Sequence, residues 1–290
     1  MKIPIESLNL MLLNVGRAQH NADWNWQNVS SPFSRIYYVM KGEALLHLPG
    51  QIVRLRPGYL YAVPPYTVHS YECHGLFDHY YLHVYEGFKN EIDLRDIYEL
   101  PTEVEGSEAA AQLFAHLCRR LPDAYLPHSD PSSYDTHAQT LDYVQRYSNM
   151  ALWEKMELRG AMLMLVSHFI RQAKPRVWTN DERMKRVHAY IHAHIDNIND
   201  VEKLADVACV TKPYFIKLFK RDFGTSPVQY INKKKVERAQ LLLFTTDNPV
   251  KEVAYMLGFS DVNYFIRLFR KMTDATPQEY RKRSWELLKR

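Results

Sequence analysis

The sequence predicts an α+β protein of two domains: a small antiparallel β-barrel with helices at its C-terminal side, then an all-α domain built on two helix-turn-helix units. Three observations predict it. Short β-rich runs fill residues 33–86, helical rhythm takes over from about Ser107, and the phrase "YFIKLFKRDFGTSP" at 214–227 returns as "YFIRLFRKMTDATP" at 264–277. With 290 residues, 46% of them apolar, the chain can bury two cores.

The β runs come first. "RIYYVM", "EALLHL", "QIVRL", "YLYAV" and "FDHYYLHVY" are rich in β-branched and aromatic residues, and Lys41-Gly42, Pro49-Gly50, Pro57-Gly58 and Pro64-Pro65 punctuate them. Such spacing predicts a barrel or sandwich, over about residues 10–106. From Ser107, "SEAAAQLFAHLCRRL" sets Leu113, Phe114, Leu117 and Leu121 on one helical face. A loop rich in Pro, Ser and Asp at 122–135 follows, then two helices between His137 and Ala173. Their stretch "WEKMELRGAMLMLVSHFI" is apolar on more than one face, so it is either domain core or a dimer surface. The first domain therefore spans 1–172, with helices from 107. A linker at 173–182 contains "AKPRVWTND", and seven short helices are expected in the second domain, 183–290. Its helix-turn-helix units fall at about 201–223 and 250–273.

The repeat is larger than the phrase. At an offset of 50, Tyr214-Phe215-Ile216, Leu218-Phe219, Pro227 and Tyr230 recur as Tyr264-Phe265-Ile266, Leu268-Phe269, Pro277 and Tyr280. Upstream the offset is 49, where "VEKLADVACVT" lies over "VKEVAYMLGFS". Two copies are too few for a solenoid, and a duplicated helix-turn-helix explains them better. On the second helix of the first unit, Phe215, Leu218, Phe219 and Asp222 share one face, while Pro213, Ile216, Lys217 and Lys220 share the other. In the second unit Phe265, Leu268, Phe269 and Met272 turn inward, and Asn263, Ile266, Arg267 and Arg270 outward. Thr211 and Ser260 fall where a helix N-cap belongs. Both units close on a capping box with proline at the first helical position, Ser226-Pro227-x-Gln229 and Thr276-Pro277-x-Glu279.

Charge divides along similar lines. Residues 1–179 carry 16 Lys+Arg against 19 Asp+Glu, a net of −3, and residues 180–290 carry 21 against 14, a net of +7. A basic C-terminal part suits a polyanion. An outward face with a base, an amide and another base one turn on matches what a major groove offers: guanine O6 and N7, adenine, and a thymine methyl for isoleucine. Thr211, Lys220, Ser260 and Arg270 suit phosphates instead, which fix register.

The run "VEKLADVACVTKPYFIKLFKRDFGTSPVQYINKKKVERAQLLL" and its sequel "PVKEVAYMLGFSDVNYFIRLFRKMTDATPQEYRK" resemble the DNA-binding domain of the AraC family of bacterial transcription regulators. The resemblance covers the whole basic region. It implies two helix-turn-helix units joined by a central helix at about Pro227–Thr245, entering successive major grooves on one face of double-stranded DNA. It places base readers at Pro213, Ile216 and Lys217 in the first unit and at Asn263 and Arg267 in the second. Because the two outward faces differ, the promoter site is expected to be asymmetric. The family's glycine after the second reading helix is Asp274 here, and aspartate tolerates φ > 0 well enough for the turn to form.

"YYVMKGEALLHL", "RLRPGYLYAVPPYTVHSYEC" and "DHYYLHV" are similar to the family's effector domain, a cupin-like barrel. Metal-binding cupins carry an H-x-H…E cluster. Here His47 stands near that place between Leu45 and Pro49, and His69 matches the second motif, too few ligands for a metal. No metal, cofactor or enzymatic activity is therefore expected. The barrel mouth suits a small polar effector such as a sugar, with Trp24, Trp26, Tyr37, Lys41, His69, His79, Tyr81 and His83 as candidates. His188 and His192, four apart with no third ligand, read as surface.

Cys73, Cys118 and Cys209 are widely spaced and odd in number, which argues against a disulfide framework and suits the cytoplasm. No apolar run approaches the ~18 residues of a membrane span, and no signal peptide is evident. These features point to a DNA-binding activator that responds to a small molecule, dimerises through the 137–173 helices and meets RNA polymerase. Two alternatives stand beside it: a cupin enzyme fused to a DNA-targeting tail, and a DNA-binding protein whose front domain only dimerises.

Overall fold

The computed structural model describes all residues except 1–4, 6–7, 9, 87–93, 127, 135–136, 177–180, 199 and 287–290. Expectations for the barrel at 87–93 and for the linker at 177–180 lie outside the described residues. The chain divides into two compact units, the first running to Pro175 and the second from Arg176.

The first unit opens with eight strands: β1 (Leu10–Asn21), β2 (Trp26–Val29), β3 (Ser34–Gly42), β4 (Ala44–Leu48), β5 (Gln51–Leu55), β6 (Tyr59–Val63), β7 (His69–Glu72) and β8 (Leu76–Glu86). A short helix α1 (Leu94–Ile97) leads to β9 (Tyr98–Glu99) and β10 (Glu103–Glu105). The pairing is antiparallel throughout, in a five-stranded sheet β1-β8-β3-β6-β10 and a four-stranded sheet β2-β7-β4-β5. Alternation along the strands sorts side chains between two cores. Tyr37, Val39, Phe77 and Tyr81 turn inward against Ala44, Leu46, Leu55 and Tyr71 of the opposing sheet. Ile36, Tyr38, Leu82 and Val84 turn outward against helices. Gly42 is obligatory: its φ is +71°, and a Cβ there would run into the Leu76 carbonyl. The sequence reading did not single out β1, whose opening "LMLLNV" is buried on both faces and does not alternate.

The helices that follow are α2 (Glu108–Arg120), a short α3 (Pro131–Tyr134), α4 (His137–Asn149) and α5 (Leu152–Gln172), of which α2 and α5 cover the outer core. Ser107 caps α2, accepting the Ala110 N–H at 3.1 Å. From α5, Leu158, Ala161, Met162, Leu165 and Phe169 enter the core. Of its other apolar side chains, Leu152, Trp153, Met156 and Met164 are exposed, and Leu163 and Val166 are half-buried against the core. A two-residue strand β11 (Lys174–Pro175) pairs with β9.

The second unit holds α6 (Glu182–His194), α7 (Val201–Val207), α8 (Lys212–Phe223), α9 (Pro227–Thr245), α10 (Val250–Met256), α11 (Val262–Thr273) and α12 (Pro277–Glu286). These are the seven expected helices among the described residues. Each helix-turn-helix has its own core. Phe215, Leu218 and Phe219 pack with Met184, Val187 and Leu204 in the first, and Phe265 and Phe269 with Val253, Leu257 and Phe259 in the second. The long helix α9 contributes Ile231 to one core and Val236, Ala239 and Leu243 to the other, so it fixes their relative placement. Arg281 of α12 donates to the Leu243, Thr246 and Asn248 carbonyls, closing the C-terminal end of α9. No described helix is long and apolar enough to cross a membrane.

Candidate nucleic-acid interface and ligand cavity

The two reading helices are built alike. In each unit the tight turn is held by two backbone bonds at an offset of 49: Cys209 N–H to Asp206 O (2.9 Å) and Val210 N–H to Ala205 O (3.1 Å), then Gly258 N–H to Tyr255 O (2.9 Å) and Phe259 N–H to Ala254 O (3.0 Å). Each helix ends on a left-handed residue, Gly224 (φ 69°) and Asp274 (φ 57°), whose N–H returns to Lys220 O and Arg270 O. Asp274 therefore does take the glycine's conformation. The capping boxes expected at Ser226/Gln229 and Thr276/Glu279 are both formed.

Outward, Thr211, Pro213, Ile216, Lys217 and Lys220 are exposed on α8, and Ser260, Asn263, Arg267 and Arg270 on or before α11. Neighbouring bases are neutralised: Arg183 by Asp181, Lys212 by Glu202, Arg221 by Asp222 and Arg238 by Asp196. Among the described residues, no carboxylate pairs with Lys217, Lys220, Arg267 or Arg270. Four uncompensated cations on two outward helix faces are what a polyphosphate would neutralise.

Five details differ from expectation. The N-cap of α11 is Asp261, which accepts the Asn263 N–H at 2.8 Å, and Ser260 precedes it. Thr211 is the N-cap of α8, but its side chain makes no capping bond. The counterpart of Thr211 is thus Asp261, at offset 50, and Ser260 is the extra residue in the second turn. Met272 is exposed where an inward position was expected, and Ile266 is half-buried against the core. His188 is no surface residue. It stacks on Phe223, its Nε2 is 3.1 Å from the Tyr230 hydroxyl, and burial pushes its pKa down to about 3.

The first unit holds a cavity of about 210 Å³. Trp24, Tyr37, His79, Tyr81 and His83 line it, as do Arg17, Gln19 and His20 of β1. The segment after α2 adds Tyr125, Leu126, His128, Ser129 and Tyr134 to the lining. Barrel residues pin that segment: the Leu126 N–H donates to the Tyr81 hydroxyl (2.6 Å), and Arg35 donates to the Tyr134 hydroxyl (2.8 Å). Gly16 lies against the Tyr81 hydroxyl so closely that a Cβ would overlap it.

Three candidates, Trp26, Lys41 and His69, are not on the wall. Lys41 is exposed at the far end of β3, and Trp26 is half-buried on β2. His69 is buried behind the wall and connects to it by a chain of hydrogen bonds whose direction is fixed. Its Nδ1 must donate to the Thr67 carbonyl (2.7 Å), and burial holds its pKa near 4, so the neutral ring accepts at Nε2 from the Tyr71 hydroxyl (2.7 Å). Tyr71 then accepts from Tyr37 at 2.6 Å. Sequence reading missed Arg17, His20, Arg35 and Tyr134. The signal for His20 was its place opposite Phe77 on the inner face of β1, visible only once β1 is recognised as a strand.

Residues 204–283 match the family described as a helix-turn-helix domain, and residues 15–141 match the AraC-like ligand binding domain family. The arabinose operon regulatory protein of Escherichia coli K12 is 26% identical over 247 residues, spanning 83% of this chain and 78% of that protein. The regulatory protein PocR of Salmonella typhimurium is 34% identical over 102 residues, 35% of this chain and 34% of its own. Among solved structures, the C-terminal domain of the response regulator yesN from Fusobacterium nucleatum is 33% identical, covering 34% of this chain and 98% of that one, with a TM-score of 0.33.

Proposed function

This chain belongs to the AraC family of transcription regulators, with a ligand-binding and a DNA-binding domain, and on that premise we propose that it is an activator of transcription controlled by a small polar metabolite. Base edges would be read by Pro213, Ile216 and Lys217 in one major groove and by Asn263 and Arg267 in the next. Thr211, Lys220, Ser260 and Arg270 would hold phosphates. The site on DNA is asymmetric, since the two outward faces carry different side chains. The effector sits in the barrel cavity. Sugars are one candidate class, given a relative named for the arabinose operon. The protein acts in the cytoplasm as a homodimer through the α4–α5 helices, where Leu152, Met156 and Met164 are exposed, and it contacts RNA polymerase. It is not an enzyme.

The observation that carries this reading is the pair of like-built helices, each with uncompensated bases outward over a phenylalanine core. The test uses an operator selected from random DNA. Arg267→Ala should cost ~1–3 kcal/mol on that operator and relax preference at one position. Lys220→Ala should weaken binding to all sequences alike and lower the salt dependence by about one counterion. If Arg267→Ala lost affinity equally on every sequence, its base-reading role would be excluded.

A further inference from the structure

The outward faces of α8 and α11 differ in chemistry, and on the DNA reading proposed above that difference dictates what each half of the site contains. A recognition helix touches base edges with its N-terminal residues. In α8 these are Pro213, Ile216 and Lys217, all exposed. At the equivalent places of α11 stand Asn263, Ile266 and Arg267.

The isoleucine is the same in both copies, but its surroundings are not. Ile216 is 38% exposed, and among the described residues it packs into neither helix-turn-helix core. Ile266 is half-buried and packs against the core of Val253, Phe265 and Phe269. Only the first copy therefore presents its isoleucine to a groove. Pro213 lies three positions before Ile216, so the two are neighbours on one helix face. A proline side chain neither donates nor accepts a hydrogen bond. Lys217 is then the one hydrogen-bonding side chain among the three readers of α8.

On α11 the same places are polar. Asn263 uses its backbone N–H on Asp261, at 2.8 Å, and among the described residues its side-chain amide makes no hydrogen bond. Arg267, four positions on and thus on the same face, has no carboxylate partner among the described residues.

The distinctive apolar group on the major-groove edges is the thymine methyl, and the rest of the code there is donors and acceptors. Isoleucine and proline set against an amino or keto group would strip it of water and return no hydrogen bond, whereas against a methyl they bury apolar surface. Asparagine and arginine have the opposite preference, pairing bidentately with adenine N6 and N7 and with guanine O6 and N7. We propose that the DNA site is bipartite in chemistry: α8 reads thymine methyls through Pro213 and Ile216, and α11 reads adenine and guanine edges through Asn263 and Arg267.

The test uses the full chain and the operator selected from random DNA, altered one chemical group at a time. The half in which Arg267→Ala relaxes preference belongs to α11, and the other half to α8. Replacing a thymine by deoxyuridine removes the methyl and leaves every hydrogen-bonding group. In the α8 half at least one such replacement should weaken binding about fourfold, as expected for one buried methyl, and the Pro213→Ser/Ile216→Ser double variant should be indifferent to it. In the α11 half deoxyuridine should have no effect, and 7-deazaguanine, which lacks the N7 acceptor, should weaken binding about tenfold. On the wild-type chain, an α8 half without thymine or indifferent to deoxyuridine overturns the proposal. So does an equal deoxyuridine effect in the α11 half, or 7-deazaguanine without effect there. A deoxyuridine effect that persists in the double variant overturns the role of Pro213 and Ile216. All of these leave sequence-specific binding standing. If no sequence is enriched, or Arg267→Ala relaxes no position, base reading by these helices falls and the proposal with it.

Discussion

Cys209 and Gly258 occupy the same point in the two units, and both adopt left-handed backbone, at φ 55° and 72°. Glycine does so freely, whereas a residue with a Cβ is strained by ~1 kcal/mol or more. The Cys209 side chain is exposed. Cys209→Gly should therefore stabilise the helical domain from Arg176 onward by ~0.5–1 kcal/mol, read as a shift of the denaturation midpoint with unchanged slope. A destabilised variant would mean that the thiol makes a contact worth more than the strain. At this scale the sequence was a partial guide. It placed the phenylalanines and the outward bases, because helical periodicity assigns faces without knowledge of the partner. It misjudged His188, because nothing in its immediate neighbours announces that Phe223 and Tyr230, 35 and 42 positions on, close over it.

Among the elements, α8 and α11 share a length of 12 residues but start differently. The carboxylate of Asp261 satisfies an otherwise orphaned N–H at the start of α11, whereas the Thr211 hydroxyl, at the same place on α8, does not. Asp261→Ala should cost ~1 kcal/mol, and Thr211→Ala and Ser260→Ala close to nothing, measured by chemical denaturation. Equal losses at all three would contradict this assignment of caps. Element identity was legible wherever a period repeats over several turns or punctuation brackets a short alternating run. It failed for β1, where burial on both faces erases the alternation by which a strand is recognised.

Over the whole molecule, buried neutral histidines are unevenly shared. His20, His69, His79 and His83 lie in the first unit and His188 in the second, with His69 held near 4, His79 and His188 near 3, His83 well below its ordinary value and His20 below it, all chiefly by burial. In the unfolded chain these rings take up protons as the pH falls through about 6.5, and in the folded chain they do not, so stability is lost on acidification. At pH 5.5 each fully buried imidazole costs ~1 kcal/mol relative to pH 7.5. Scanning calorimetry at the two pH values should show the transition of the first unit falling further than that of the second. Equal shifts would refute the count. The cavity itself was only half legible, since it is assembled from β1, β3, β8 and the segment after α2, joined by hydrogen bonds that span 45 and 99 positions of chain. The strand β8 carries the inference furthest. Its odd positions from Phe77 to His83 face the inner core and cavity, and Leu82 and Val84 face the helices. A strand committed on both sides cannot be revised one side at a time. A lineage that changes what this cavity holds must do so while conserving the packing of α2 and α5, so its accessible steps are swaps at His79, Tyr81 and His83 that keep volume and exchange only polarity.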